Sequence, residues 1–196
     1  MAYLFLCYDR VWYMDAAWQL FLERNSLDET LAKVLINRVR EHDINTLVVV
    51  TGPWWFTNLR VGTLVCNLLL QYLPQVSCVV MSKIDMYAYL VDQWLLPPYG
   101  ILYIGQQKSV RHYDFSQKSH SVQLKGADII MQSYFVDAID DYFPVNYADN
   151  RVSFAQESNT IVATYRWQKL SLAPLIQSLS PVQVVLPSYY VQPIIG

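Results

Sequence analysis

The chain has 196 residues, 54% hydrophobic and 15% charged, a balance that excludes a disordered or fibrous polypeptide. Its length is enough to bury a real core in one unit or in two compact lobes. A formal net charge of −2 and a pI near 5.8 leave no global basic field for gathering nucleic acid.

Aromatic residues reach 14%, with 15 Tyr and 6 Trp, more than a core of this size needs, and this predicts a buried interface with a partner. Cys7, Cys66 and Cys78 lie in apolar runs with no CxxC pair, the pattern of inert thiols in a reducing compartment. No basic n-region opens the chain, and the apolar stretch Leu47 to Leu70 is interrupted by Pro53, Asn58 and Arg60. The expectation is a soluble, cytoplasmic protein with no membrane contact.

In chain order, Tyr3–Tyr8 and Val11–Met14 read as two strands joined by a tight turn, and Ala16–Leu22 as a third strand or a helix. Ser26-Leu27-Asp28-Glu29 fits a capping box, and basic residues close the segment, so a helix is predicted over Leu27–Glu41. Its apolar residues Leu27, Leu31, Ala32, Val34, Leu35, Ile36 and Val39 cover an arc of about 200°, wider than one core face needs. Leu47–Val50 reads as a buried strand ended by Thr51-Gly52-Pro53. A second helix over Thr57–Tyr72 has an apolar arc of about 240°, and the small residues Gly62 and Cys66, four apart, would let another helix come close.

Val76–Met81 reads as a strand, Ile84–Leu95 as a helix, and Pro97-Pro98-Tyr99-Gly100 as a break between lobes, giving a first lobe over 1–96 and a smaller one over 97–196. The second lobe is predicted to open with a hairpin, Ile101–Ile104 and Val110–Phe115, and a strand near Ser121–Leu124. Met131–Tyr142 reads as helical, Thr160–Gln168 is ambiguous, Leu172–Leu179 is a short helix, and the tail from Pro181 is extended.

The segment Gly52-Pro53-Trp54-Trp55-Phe56-Thr57-Asn58-Leu59-Arg60-Val61-Gly62 resembles the hallmark of the TsaB (YeaZ-like) family, a strand running into Gly-Pro-Gly-Ser-Phe-Thr-Gly-Leu-Arg-Ile-Gly and then a helix. Gly52, Pro53, Phe56, Thr57, Leu59, Arg60 and Gly62 match it, seven identities in eleven positions. The helix before that strand, the segment Ser82–Leu90, the hairpin Ile101–Phe115 and the element Pro187-Ser188-Tyr189-Tyr190-Val191-Gln192-Pro193 echo further family features in the same order.

The resemblance implies an α/β, two-lobed actin-like ATPase (ASKHA, ribonuclease H-like) fold, with mixed sheets flanked by helices. It also implies a noncatalytic scaffold that binds a TsaD-like catalytic subunit as a heterodimer and supports threonylcarbamoylation of the adenosine beside the anticodon of tRNA. ATP and a metal then belong to partner subunits, a TsaE-like ATPase among them, this chain binds no cofactor alone, and tRNA is met only through the complex. First-lobe helices make the pairing. For that contact the sequence nominates Leu31, Val34, Leu35 and Arg38 from helix one, and Leu59, Gly62, Cys66, Leu69 and Leu70 from helix two. Periodicity does not say which side of each helix meets the sheet.

Trp54-Trp55 and Asn58 stand where the family has Gly-Ser and Gly, so two positions that tolerate positive φ are lost. The two indoles either plug a cavity or enlarge the partner contact. Arg60 either holds carbonyls near Gly52 or reaches the partner. Where actin-like ATPases carry a Gly/Ser/Thr-rich phosphate loop, this chain has Cys7-Tyr8-Asp9-Arg10-Val11, which does not read as a cradle for ATP.

His112, Asp114 and His120 lack a further ligand at metal spacing and read as a solvated hairpin face. Asp137, Asp140 and Asp141 read as a solvated helix face. Two other readings stay open: a stand-alone actin-like-fold enzyme, nucleotide-binding or peptidase-like, and a structural homodimer using the same helices.

Overall fold

The computed structural model describes residues 1–6, 10–23, 27–52, 56–103, 110–117, 133–137 and 149–188. Two mixed sheets with helices against them form the architecture. The first sheet contains β1 (Ala2–Leu6), β2 (Arg10–Asp15), β3 (Trp18–Glu23), β4 (Thr46–Thr51) and β5 (Ser77–Ser82), in the spatial order β3-β2-β1-β4-β5. β1, β2 and β3 form an antiparallel meander, while β4 and β5 run parallel to β1. The α/β class, with mixed sheets flanked by helices, agrees with the expectation.

β1 is apolar at every position because both of its faces are covered. By the two-residue period, Leu4 and Leu6 point to one face and Tyr3 and Phe5 to the other. Leu6 lies against Gly62 of α2 (Phe56–Tyr72). Phe5 packs against Trp12 of β2 and, at 5.8 Å between ring centres, against Phe154 of the second sheet.

The predicted first helix is continuous over Leu27–Glu41 but wound in two ways: Leu27–Leu31 forms a π-helical turn and α1 (Ala32–Glu41) is regular. Ser26 lies outside the described residues. α3 (Lys83–Asp92) follows β5 directly, its start capped by Ser82, whose hydroxyl accepts the Asp85 N–H at 3.0 Å.

The second sheet contains β6 (Tyr99–Tyr103), β7 (Val110–Asp114), β8 (Tyr134–Asp137), β9 (Arg151–Glu157), β10 (Thr160–Tyr165) and β11 (Gln168–Ser171), ordered β11-β10-β9-β8-β6-β7. Ser158-Asn159 and Arg166-Trp167 all have positive φ, from 46° to 70°, which gives the two-residue turns that suit the twist of the β9–β10–β11 meander. α4 (Ala173–Ser178) then packs on β10, and residues 181–188 carry no helix or strand.

The helix predicted over Met131–Tyr142 is corrected at its centre: Tyr134–Asp137 is a strand, parallel to β6 on one side and to β9 on the other. The strand predicted at Ser121–Leu124 lies outside the described residues. One contiguous core joins both sheets, from Val48 through Tyr87 to Phe154 and Leu170. No helix among the described residues is long and apolar enough to cross a membrane.

Candidate partner-binding surface

α1 and α2 lie side by side over the first sheet, with the π turn between α2 and β3. Their inner sides are made by the residues the sequence nominated for a partner. Leu31, Leu35, Leu59, Cys66 and Leu69 are buried within the chain, and Gly62 is buried against β1. A methyl group on Gly62 would lie 2.4 Å from Leu6 Cδ2, so the small residue serves helix-to-sheet packing in this chain. These six face the chain's own core. Val34 and Leu70 are half-buried, with Leu70 packed against the core.

Arg38 is likewise engaged within the chain. Its guanidinium forms a fork on Asp15, Nε donating to Oδ2 at 2.9 Å and Nη2 to Oδ1 at 3.0 Å, and it lies 4.8 Å from the centre of the Trp18 ring. Tyr13 donates to the same carboxylate at 3.2 Å, and the Ala17 N–H at 2.8 Å. Burial pushes the Asp15 carboxyl up, but the Ala17 N–H and the Arg38 charge outweigh it and hold the group below its ordinary value. Burial beside that carboxylate pushes the Tyr13 hydroxyl well above its usual range. Arg38 thus ties α1 to the β2–β3 hairpin.

The apolar residues turned to solvent are different ones. Leu64, Leu68 and Tyr72 are 59%, 41% and 75% exposed and follow one another at four-residue spacing along α2. Beside them a groove of about 110 Å³ runs between α1 and α2, lined by Ala32, Ile36, Val65, Leu68, Leu69 and Tyr72. Lys33, Arg40 and Arg60 are exposed on the same two helices. Arc width revealed that both sides of α2 are apolar; the side that faces the sheet followed from the fit of Gly62 onto Leu6.

The matched motif forms the join between β4 and α2. Gly52 is buried, and its carbonyl accepts the Lys83 N–H at 2.9 Å. Thr57 is half-buried, Leu59 and Asn58 are buried, and Arg60 is exposed. Pro53, Trp54 and Trp55, with the side chain of Phe56, lie outside the described residues. α2 is held from its far side by Asn67, whose amide exchanges two hydrogen bonds with the Val185 backbone at 2.7 and 3.1 Å.

A second polar centre lies between the two sheets and was missed from sequence. The sequence reads Asp137 as part of a solvated helix face, yet it is 1% exposed and ion-paired with Lys83, which is fully buried. Lys83 Nζ also donates to the Tyr103 carbonyl at 2.9 Å, and Tyr87 donates to Asp137 Oδ1 at 2.6 Å. A lysine at the first position of a helix, where the dipole disfavours cations, was the available signal. Asp140 and Asp141 lie outside the described residues.

The hairpin face of His112 and Asp114 is also less solvated than expected. Asp114 is buried and accepts the Ser116 N–H at 2.9 Å, while half-burial holds the His112 ring below its ordinary pKa. His120 lies outside the described residues, and no cluster of three metal-type side chains occurs among those described. Burial pushes the Cys78 thiol up to about 12 and raises Cys66 further, with Cys78 beside it, so both are inert at neutral pH.

No family model matches the chain, and no curated protein does. Among solved structures it is similar to YeaZ from Pseudomonas aeruginosa, with 13% identity and a TM-score of 0.38 over 64% of this chain and 65% of that one. It is also similar to "an uncharacterized protein with similarity to peptidase YEAZ from Pseudomonas aeruginosa", with 13% identity and a TM-score of 0.39 over 69% of this chain and 74% of that one. The first match thus spans 65% of the YeaZ chain, and these are likenesses of fold.

Proposed function

We propose that this chain is a divergent TsaB-like subunit, without catalysis of its own, that binds a TsaD-like catalytic subunit and supports threonylcarbamoylation of tRNA. In this reading residues 1–96 form the partner-binding lobe and residues 97–196 the smaller second lobe. The observation that carries it is the segment Gly52–Gly62, with seven identities to the family hallmark, of which Gly52 directly follows β4 and Phe56, Thr57, Leu59, Arg60 and Gly62 lie in the first turns of α2. The exposed stripe Leu64, Leu68 and Tyr72 on that same helix adds support, because apolar residues in contiguous exposure mark an interaction surface.

The test is capture of a purified TsaD-like subunit by the tagged chain, with Leu64→Glu plus Leu68→Glu as the variant. Both positions are exposed, so the variant should fold as the wild type does, with Tm within about 2 °C, and lose at least about tenfold in affinity. Undiminished binding by the folded variant removes α2 as the contact, and no binding by the wild type removes the partner.

The same stripe favours a second reading, a homodimer that covers it with a second copy. Sedimentation of wild type and variant separates the two. A dimer lost in the variant, with no TsaD-like capture by the wild type, supports self-association.

A further inference from the structure

Following β9 back from its end traces the seam between the two sheets. The Tyr3 hydroxyl donates to the Asn159 carbonyl at 3.3 Å. Phe154 then meets Phe5 at 5.8 Å and Tyr87 at 6.3 Å, and Tyr87 lies 4.8 Å from Phe135. At Val152, whose ladder neighbour is Asp137, the seam reaches the Lys83–Asp137 pair. Lys83 enters from the start of α3, just beyond β5, and reaches two strands of the other sheet: Asp137 at the end of β8 and the Tyr103 carbonyl at the end of β6.

Two features distinguish this pair from ordinary packing. Burying both charges is costly, and an apolar pair of the same volume often serves stability as well. A cation also gains nothing locally from the first position of a helix. Aromatic contacts in the middle of the seam tolerate sliding, because apolar attraction has little direction. An ammonium held by a carboxylate and a carbonyl on two different strands permits one arrangement.

We propose that Lys83, Asp137 and Tyr87 form a latch that fixes how the two sheets are oriented against each other, a role separate from holding the chain folded. It is independent of which partner α2 binds.

The test uses the full chain as wild type, Lys83→Met, Asp137→Leu and the double variant, read by thermal unfolding and by residual dipolar couplings of the amides in each sheet. Each single variant removes one charge of the buried pair and leaves the other buried, and should lower Tm by about 10 °C. The double variant should return to within about 3 °C of wild type. In the wild type one alignment tensor fits both sheets. In the double variant the two sheets require separate tensors, differing at least twofold in magnitude. A folded double variant whose sheets still share one tensor overturns the latch. So does a double variant no more stable than the singles, since the pair would then be required for folding itself. Single variants that do not fold leave the double variant to give the answer.

Discussion

Arg38 and Gly62 are the residues at which local pattern and packing part company. Arg38 sits near the end of a helix, where a cation suits the dipole, and nothing near it in sequence points to Asp15, 23 positions away. The folded Asp15 pKa lies below its ordinary value of 3.8, so the stabilisation is complete above that value and is lost as pH falls through the lower folded one. Arg38→Met should cost about 2 kcal/mol at neutral pH, and its difference from wild type should shrink below about pH 4, as urea titrations at several pH values will measure. Gly62→Ala adds a methyl 2.4 Å from a buried leucine. It should cost about 1 to 2 kcal/mol in urea unfolding despite the better helix propensity of alanine, and Leu6→Val in the same chain should recover part of the loss.

Among the elements, α2 was the most legible, since a long periodic run after a turn predicts a helix with little competition; the prediction differs from the structure by one residue, Phe56. β8 was the least legible. Met131, Phe135, Val136 and Ile139 are spaced as a helix face is, and only the parallel neighbours β6 and β9 settle Tyr134–Asp137 as a strand. The tail, which carries no helix or strand over its described residues 181–188, was not legible as a clamp, because its partners lie more than a hundred residues away in the chain. It crosses from the second sheet to the first: Val182 N–H donates to the Cys78 carbonyl at 2.8 Å, Val185 joins Asn67, and Ser188 shares a hydrogen bond with Thr51 at 3.1 Å. Asn67→Ala removes both bonds to Val185 and leaves two backbone groups to find water. It should cost about 2 kcal/mol and speed exchange of the Val185 amide at least about tenfold, as hydrogen exchange followed by NMR will report.

For the whole molecule, the two sheets share a core, and their seam is aromatic through most of its length with a charged end. α2 lies far enough from that seam in role to face outward, yet the tail that crosses from the second sheet holds it through Asn67. The exposed stripe is thus carried on a helix fixed on three sides: by Leu6 beneath, α1 alongside and the tail behind. Exposed Leu64, Leu68 and Tyr72 keep that surface apolar at a cost in hydration that a covering partner would relieve.

The sequence by itself determined the order of strands and helices over the first half apart from Ala16–Leu22, the end of β4 before Gly52 and the over-apolar character of α2, because each of these depends on neighbours a few residues apart. The tertiary structure decided which side of α2 is free, where Arg38 and Asp137 find their partners, and which strands flank β8. Those outcomes depend on contacts between residues distant in the chain. A hydrophobic period records that a face is covered, while only the assembled sheets supply what covers it.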